Sequence, residues 1–261
     1  MSTAYVTVDT TAAPIPLSRL TRVELRKLVD TRAGFWLIAS MGLIAVLIGV
    51  IMLIANRNNP EDLTFDNFFM LMNQPTAFLL PVMAILLVTS EWSQRTALAT
   101  FTMEPRRERI IAAKLIASVI AALGAVLAAA VVGAVATVIA QLTTSTSDAW
   151  SVSGLSILYA VVLQLAGLLL GFAFAAAFLN TPIAIVIYFV LPSIFTLAGN
   201  IIPWFRENLI DWISTDMTMI PFQDGGTADG GDWLRFLVAY GLWIGVPLTF
   251  GIVRIMRSEV K

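Results

Sequence analysis

Five stretches of this chain carry no Asp, Glu, Lys or Arg: residues 33–56, 67–90, 115–147, 149–205 and 236–253. A helix needs about 20 apolar residues to cross the hydrocarbon core of a bilayer. Each stretch is long enough for one crossing, and 149–205 is long enough for two. Asn180-Thr181-Pro182 marks the break within it, because a proline opens a helix readily and disfavours α geometry in the residue before it. The expected spans are 33–55, 68–90, 110–142, 154–179, 182–202 and 233–254, in one transmembrane domain over 33–254. Pro75 and Pro81 fall in the second span, which predicts a kinked or partly broken helix there. The expected fold is therefore an all-α integral membrane protein, a six-transmembrane-helix bundle.

Composition agrees and removes several function classes. Of 261 residues 58% are hydrophobic and 13% charged, about half the charge of an ordinary soluble domain. The net charge of −1 shows no basic excess, so no nucleic-acid partner is expected. There is no cysteine and no histidine, which removes thiolate chemistry, the commonest metal ligand and the usual general base. No carboxylate lies inside a span, so an intramembrane hydrolase lacks its catalytic groups. The chain is expected not to be an enzyme, to hold no metal and to carry no cofactor of its own.

Lysine and arginine set the orientation, since they stay on the cytoplasmic side. The N-terminal segment, the loop after span two and the tail together hold thirteen of the sixteen basic residues. Both termini are therefore expected in the cytoplasm of a multi-pass plasma-membrane protein. The apolar run is too long for a signal peptide and no convincing cleavage site follows it. Residues 1–16 read as a disordered leader, and 255–261 as a cytoplasmic tail.

Four segments are more patterned than topology requires. Over residues 17–32, Leu17, Leu20, Leu25, Leu28 and Val29 share one helical face, opposite Arg19, Arg22, Arg26 and Asp30. That is an amphipathic helix in the cytoplasmic interface, or a plain topological anchor. Glu24 sits in its apolar arc, where a carboxylate wants a basic partner. The loop 91–109 is longer than a connection needs. It places Ala97, Leu98 and Phe101 at helical spacing between charged ends, a shape suited to a groove on another protein. Outside, Trp204, Phe205, Leu209, Trp212 and Ile213 share one side of 203–216, as in a re-entrant helix or an aromatic anchor before the last span. The remainder of that external segment, 203–232, contains three aspartates among glycines over 224–232, readable as a flexible linker or a weak cation loop.

The pattern Glu91, Thr96, Leu98, Pro105, Arg107 and Lys114, with Val23–Leu28 leading into Phe35-Trp36, resembles the permease subunits of type-2 ABC exporters. The likeness in layout covers essentially the whole chain. It departs where many members carry Gly before the Thr and this chain carries Arg95. The resemblance implies that Glu91, Arg95, Thr96, Leu98, Phe101, Pro105 and Arg107 couple to a separate ATPase. It implies an interfacial helix with Leu17, Leu20, Glu24, Leu25, Arg26 and Leu28. It also implies an external re-entrant helix with Trp204, Phe205, Leu209 and Trp212. Two ATPase copies, holding ATP and Mg, would join this chain and a second permease copy or homologous permease in the lipid bilayer. The only lysines are Lys27, Lys114 and Lys261, none after a glycine, so a phosphate-binding loop is absent. Span three has the small residues for close helix packing, among them Gly124, Ala128, Ala129, Gly133 and Ala136. Gln164, Tyr188 and Asn73, polar and within spans, are the candidates to line a path for a hydrophobic or amphipathic substrate. A non-transporting scaffold or sensor subunit and an ion-coupled carrier are the alternatives.

Overall fold

The computed structural model describes residues 15–94, 96–144, 148–223 and 227–257. Eleven α-helices follow in order: α1 Leu17–Asp30, α2 Arg32–Ala55, α3 Phe65–Ser93, α4 Ala97–Met103, α5 Arg107–Thr143, α6 Gly154–Phe178, α7 Thr181–Ile201, α8 Pro203–Asn208, α9 Ile210–Ile213, α10 Thr215–Gln223 and α11 Gly230–Arg257. Six of them, α2, α3, α5, α6, α7 and α11, are long and apolar enough to cross a membrane. Large apolar side chains stand exposed along them, Leu43, Leu127, Leu142 and Val246 among them. Such a surface needs an apolar solvent. The chain is a multi-pass membrane protein.

Local signals start the helices. Thr31 Oγ1 accepts from the Gly34 amide and Asn180 Oδ1 from the Ile183 amide, each filling an orphan donor of a first turn. The break between spans four and five falls where expected. Leu179 closes α6 in a left-handed conformation at φ 51° and Pro182 lies in the first turn of α7.

In α3 61% and in α6 56% of the most apolar window is buried, against 11% in α7. These two helices form the spine; α2 and α5 pack on α3, while α7 and α11 pack on α6. The helices approach closely at small residues, as membrane packing favours. A Cβ on Gly171 would lie 2.9 Å from the Pro81 carbonyl oxygen, and one on Gly251 2.5 Å from the Ala176 carbonyl carbon. On α5, Ala129, Gly133 and Ala136 are spent inside the chain's own bundle, whereas Gly124 and Ala128 stay exposed.

Several boundaries differ from expectation. α3 passes unbroken through Pro75 and Pro81, so the partly broken form is not realised. Gln164 of α6 donates to the Thr76 carbonyl between the two prolines at 3.1 Å, the kind of support a neighbouring helix gives a proline-bearing span. α5 has 37 residues, roughly 55 Å at 1.5 Å per residue, so it outreaches the hydrocarbon core and carries Arg107–Lys114 beyond it. The segment 203–216 is not one helix: α8, α9 and α10 are separated at Leu209 and Ser214. α11 takes in residues 255–257 of the expected tail. Residues 258–261, the leader up to residue 14, Arg95 and residues 224–226 of the glycine-rich loop lie outside the described residues.

The α6–α11 approach yields a test within one helix. Gly251→Ala meets backbone that cannot yield and is expected to cost about 1–3 kcal/mol. Gly245→Ala, which meets nothing within 4 Å, should be neutral or slightly stabilising. Thermal unfolding of the two variants side by side checks the contrast.

Candidate functional site

α1, the end of α3, α4, the start of α5 and the end of α11 gather at one end of the bundle, with most of the basic residues. At its centre two carboxylates and two ammonium groups form a closed ring. Lys27 Nζ lies 2.6 Å from Glu24 Oε1 and 2.7 Å from Glu91 Oε1. Lys114 Nζ lies 2.8 Å from Glu24 Oε2 and 3.1 Å from Glu91 Oε1. Its third donor reaches the Leu87 carbonyl at 2.9 Å. Glu24, Glu91 and Lys114 are buried. Burial opposes the charge on Lys27, but the Glu24 and Glu91 carboxylates outweigh it and hold the ammonium above the ordinary lysine range.

The partner that Glu24 requires is thus Lys114, 90 residues on, together with Lys27. The inward face of α1 is Thr21, Glu24 and Leu28. Leu20 and Leu25 are half-buried, while Leu17, Arg26 and Val29 are exposed. The carboxylate, not the leucine stripe, is the centre of the contact.

Beside the ring, the 91–109 segment is tied down at several points. The Thr96 amide donates to the Glu91 carbonyl at 2.9 Å. Phe101 packs inward on Trp92, with ring centroids 6.1 Å apart. The Arg107 guanidinium sits over the Phe101 ring at 4.9 Å and donates to the Ile255 carbonyl of α11. Buried Glu104 pairs with Arg109 at 2.9 Å, and Arg109 donates to the Ile15 carbonyl. Two corrections follow. Phe101 does not share the exposed face of α4 with Leu98; that face carries Leu98, 54% exposed, and Met103, 72% exposed. Glu91 is buried in the ring rather than displayed on the exposed face of this segment. Thr96 and Pro105 are exposed.

At the opposite end, the expected shared face of Trp204, Phe205, Leu209 and Trp212 does not form, because the break at Leu209 between α8 and α9 resets the helical phase. Trp204 and Trp212 are exposed. Phe205 stacks on Phe195 at 6.3 Å and Leu209 is half-buried. The residue that docks is Ile210, buried beside Gly199.

Asn73, Gln164 and Tyr188 all line one cavity of about 380 Å³ bounded by α3, α6, α7, α10 and α11. The same cavity takes a carboxyl group that span composition does not reveal, Asp216 of α10. Burial holds that carboxyl above the ordinary aspartate range. Asp216 lies outside every charge-free stretch and so counts as loop in the sequence. Only the fold of α8–α10 turns it back toward the spans.

No family model matches this chain, and no curated protein does.

The ring predicts a coupled loss. Lys114→Met leaves two buried carboxylates to one ammonium and should cost on the order of 3–5 kcal/mol. Adding Glu24→Gln keeps the Lys27–Glu91 pair and should recover part of that loss. A double-mutant cycle read by denaturant unfolding of the purified protein measures the coupling; additive losses would contradict it.

Proposed function

We propose that this membrane protein is the permease subunit of an ATP-driven exporter, moving a hydrophobic or amphipathic substrate and powered by a separate ATPase. The observation that supports it most is α4, a short helix beside the ion ring that turns Leu98 and Met103 outward among charged residues. Connecting two spans does not call for it, and an apolar pair on a charged rim suits a hydrophobic cleft on a partner. The chain has no phosphate-binding loop, so the partner supplies ATP hydrolysis. In this reading a push on α4 passes through the Thr96–Glu91 hydrogen bond into the ring, and so to α1, α3 and α5 together. Both termini and α4 then face the cytoplasm, in line with the basic residues. A second copy, or a homologous permease, completes the membrane unit.

One observation favours a second reading. A cavity with a carboxyl group among the spans is what an ion-coupled carrier uses, and Asp216 supplies one. Transport that follows an ion gradient and ignores ATP would select the carrier.

The exporter reading is tested at α4. Leu98→Asp should weaken co-purification with the partner ATPase subunit at least tenfold, the effect of removing an interface hot spot. The variant should remain folded, because Leu98 is exposed. Phe101→Asp is the contrasting variant, expected to reduce the yield of folded protein. Undiminished co-purification and transport in Leu98→Asp would sink the reading.

A further inference from the structure

The cavity among α3, α6, α7, α10 and α11 is lined by several polar groups, Gln164 and Asp216 among them. Gln164 is buried, 2% exposed. Its Nε2 donates to the Thr76 carbonyl, which can only accept, so the amide orientation is fixed. Gln164 Oε1 is left without a hydrogen-bond partner among the described residues. A buried acceptor left unpaired is costly and calls for a donor. Asp216 adds a second acceptor, and no Lys or Arg among the described residues forms an ion pair with it. Aromatic faces complete the wall. Phe189 stacks on Phe78 and meets Tyr188 edge-on, each at 5.0 Å, and Tyr240 lies across the cavity lining.

We infer that this cavity is a binding site for an amphiphile with a protonated amine, its ammonium directed to Asp216 and Gln164 Oε1 and its apolar body lying against Phe78, Phe189 and Tyr240. An ammonium supplies N–H donors to both acceptors, offsets the carboxylate charge and is attracted by aromatic faces. A neutral alcohol meets the amide but not the charge, and an anion is repelled. The volume lies within the range of small-molecule sites. The inference deepens the exporter reading by naming its substrate class, and it rests on that reading only for transport, not for binding.

The test uses the full chain in phosphatidylcholine nanodiscs, with empty nanodiscs subtracting membrane partition. Dodecylammonium should bind saturably, dodecanol far more weakly and dodecyl sulfate not at all. Asp216→Asn should weaken dodecylammonium binding by on the order of tenfold to a hundredfold, the worth of a hydrogen bond to a charged group. It should leave dodecanol unchanged, and Asp216→Glu should retain binding. If Asp216→Asn does not fold, Gln164→Leu serves instead, with a several-fold loss for the amine and for dodecanol, both of which meet its amide oxygen. Equal binding of dodecyl sulfate, or amine binding indifferent to these variants, would overturn the inference. So would sodium ions that bind through Asp216 while dodecylammonium does not. ATPase stimulation in the complex is scored separately. Amine binding without stimulation retires the exporter reading and keeps the site. Stimulation by the amine that is undiminished in Asp216→Asn keeps the exporter and removes the site.

Discussion

Two glutamates and two lysines, closed on one another where three helices meet, hold the basic end of this protein together. Any one of these charges buried alone would be prohibitive. In the ring each is matched, and Lys114 spends all three of its donors. Such an assembly contributes less net stability than its short distances suggest, since desolvation offsets most of the attraction. What it fixes is geometry. α1 cannot slide along the membrane surface, nor α3 turn relative to α5, without uncovering a charge. The α4 segment inherits its position from this, because it hangs from Glu91 at one end and from Arg107 and Arg109 at the other.

The apolar spine works by a different physics. Between helices in lipid there is no hydrophobic gain in exchanging one hydrocarbon neighbour for another, so packing closeness decides contact. Small residues therefore mark the tight seams: Gly171 against Pro81, Gly251 against Ala176, Gly133 against the backbone at Phe69. Where larger and polar side chains replace them, at Asn73, Gln164 and Tyr188, the helices part and the cavity opens. Seam and cavity thus lie on the same two spine helices.

Much of this was legible in the sequence, for an identifiable reason. Charge is nearly forbidden in the hydrocarbon core, so its absence over 33–56 or 149–205 reads directly as span, and Asn180-Thr181-Pro182 as the break. Glu24 announced a partner by standing in an apolar arc, but the partner's name required the fold, since Lys114 is remote in sequence. Helical periodicity misled where the helix was not continuous. It joined Trp204 to Trp212 across the break at Leu209, and on α4 it set Phe101 beside Leu98 although Trp92 and Arg107 draw the ring inward. The three polar residues singled out from the spans did meet in one place, because a polar side chain in a lipid-solvated bundle must turn toward other protein groups.

Asp216 shows the limit of that reasoning and its use. Counting carboxylates inside the expected spans gives none. The rule constrains the chain that crosses the membrane, not the chain that folds back onto it: a residue delivered by α10 brings a carboxyl group to the cavity although the expected spans contain none. The same physics then separates the ion ring from Asp216. Glu24 and Glu91 are neutralised by lysines of the chain itself, so their ring is complete and structural. Asp216 has no ion-pairing lysine or arginine among the described residues and lines a cavity that Gln164 also lines. A carboxyl group held in that state leaves its compensating charge to be brought by something else, and this is what distinguishes a binding group from a structural one.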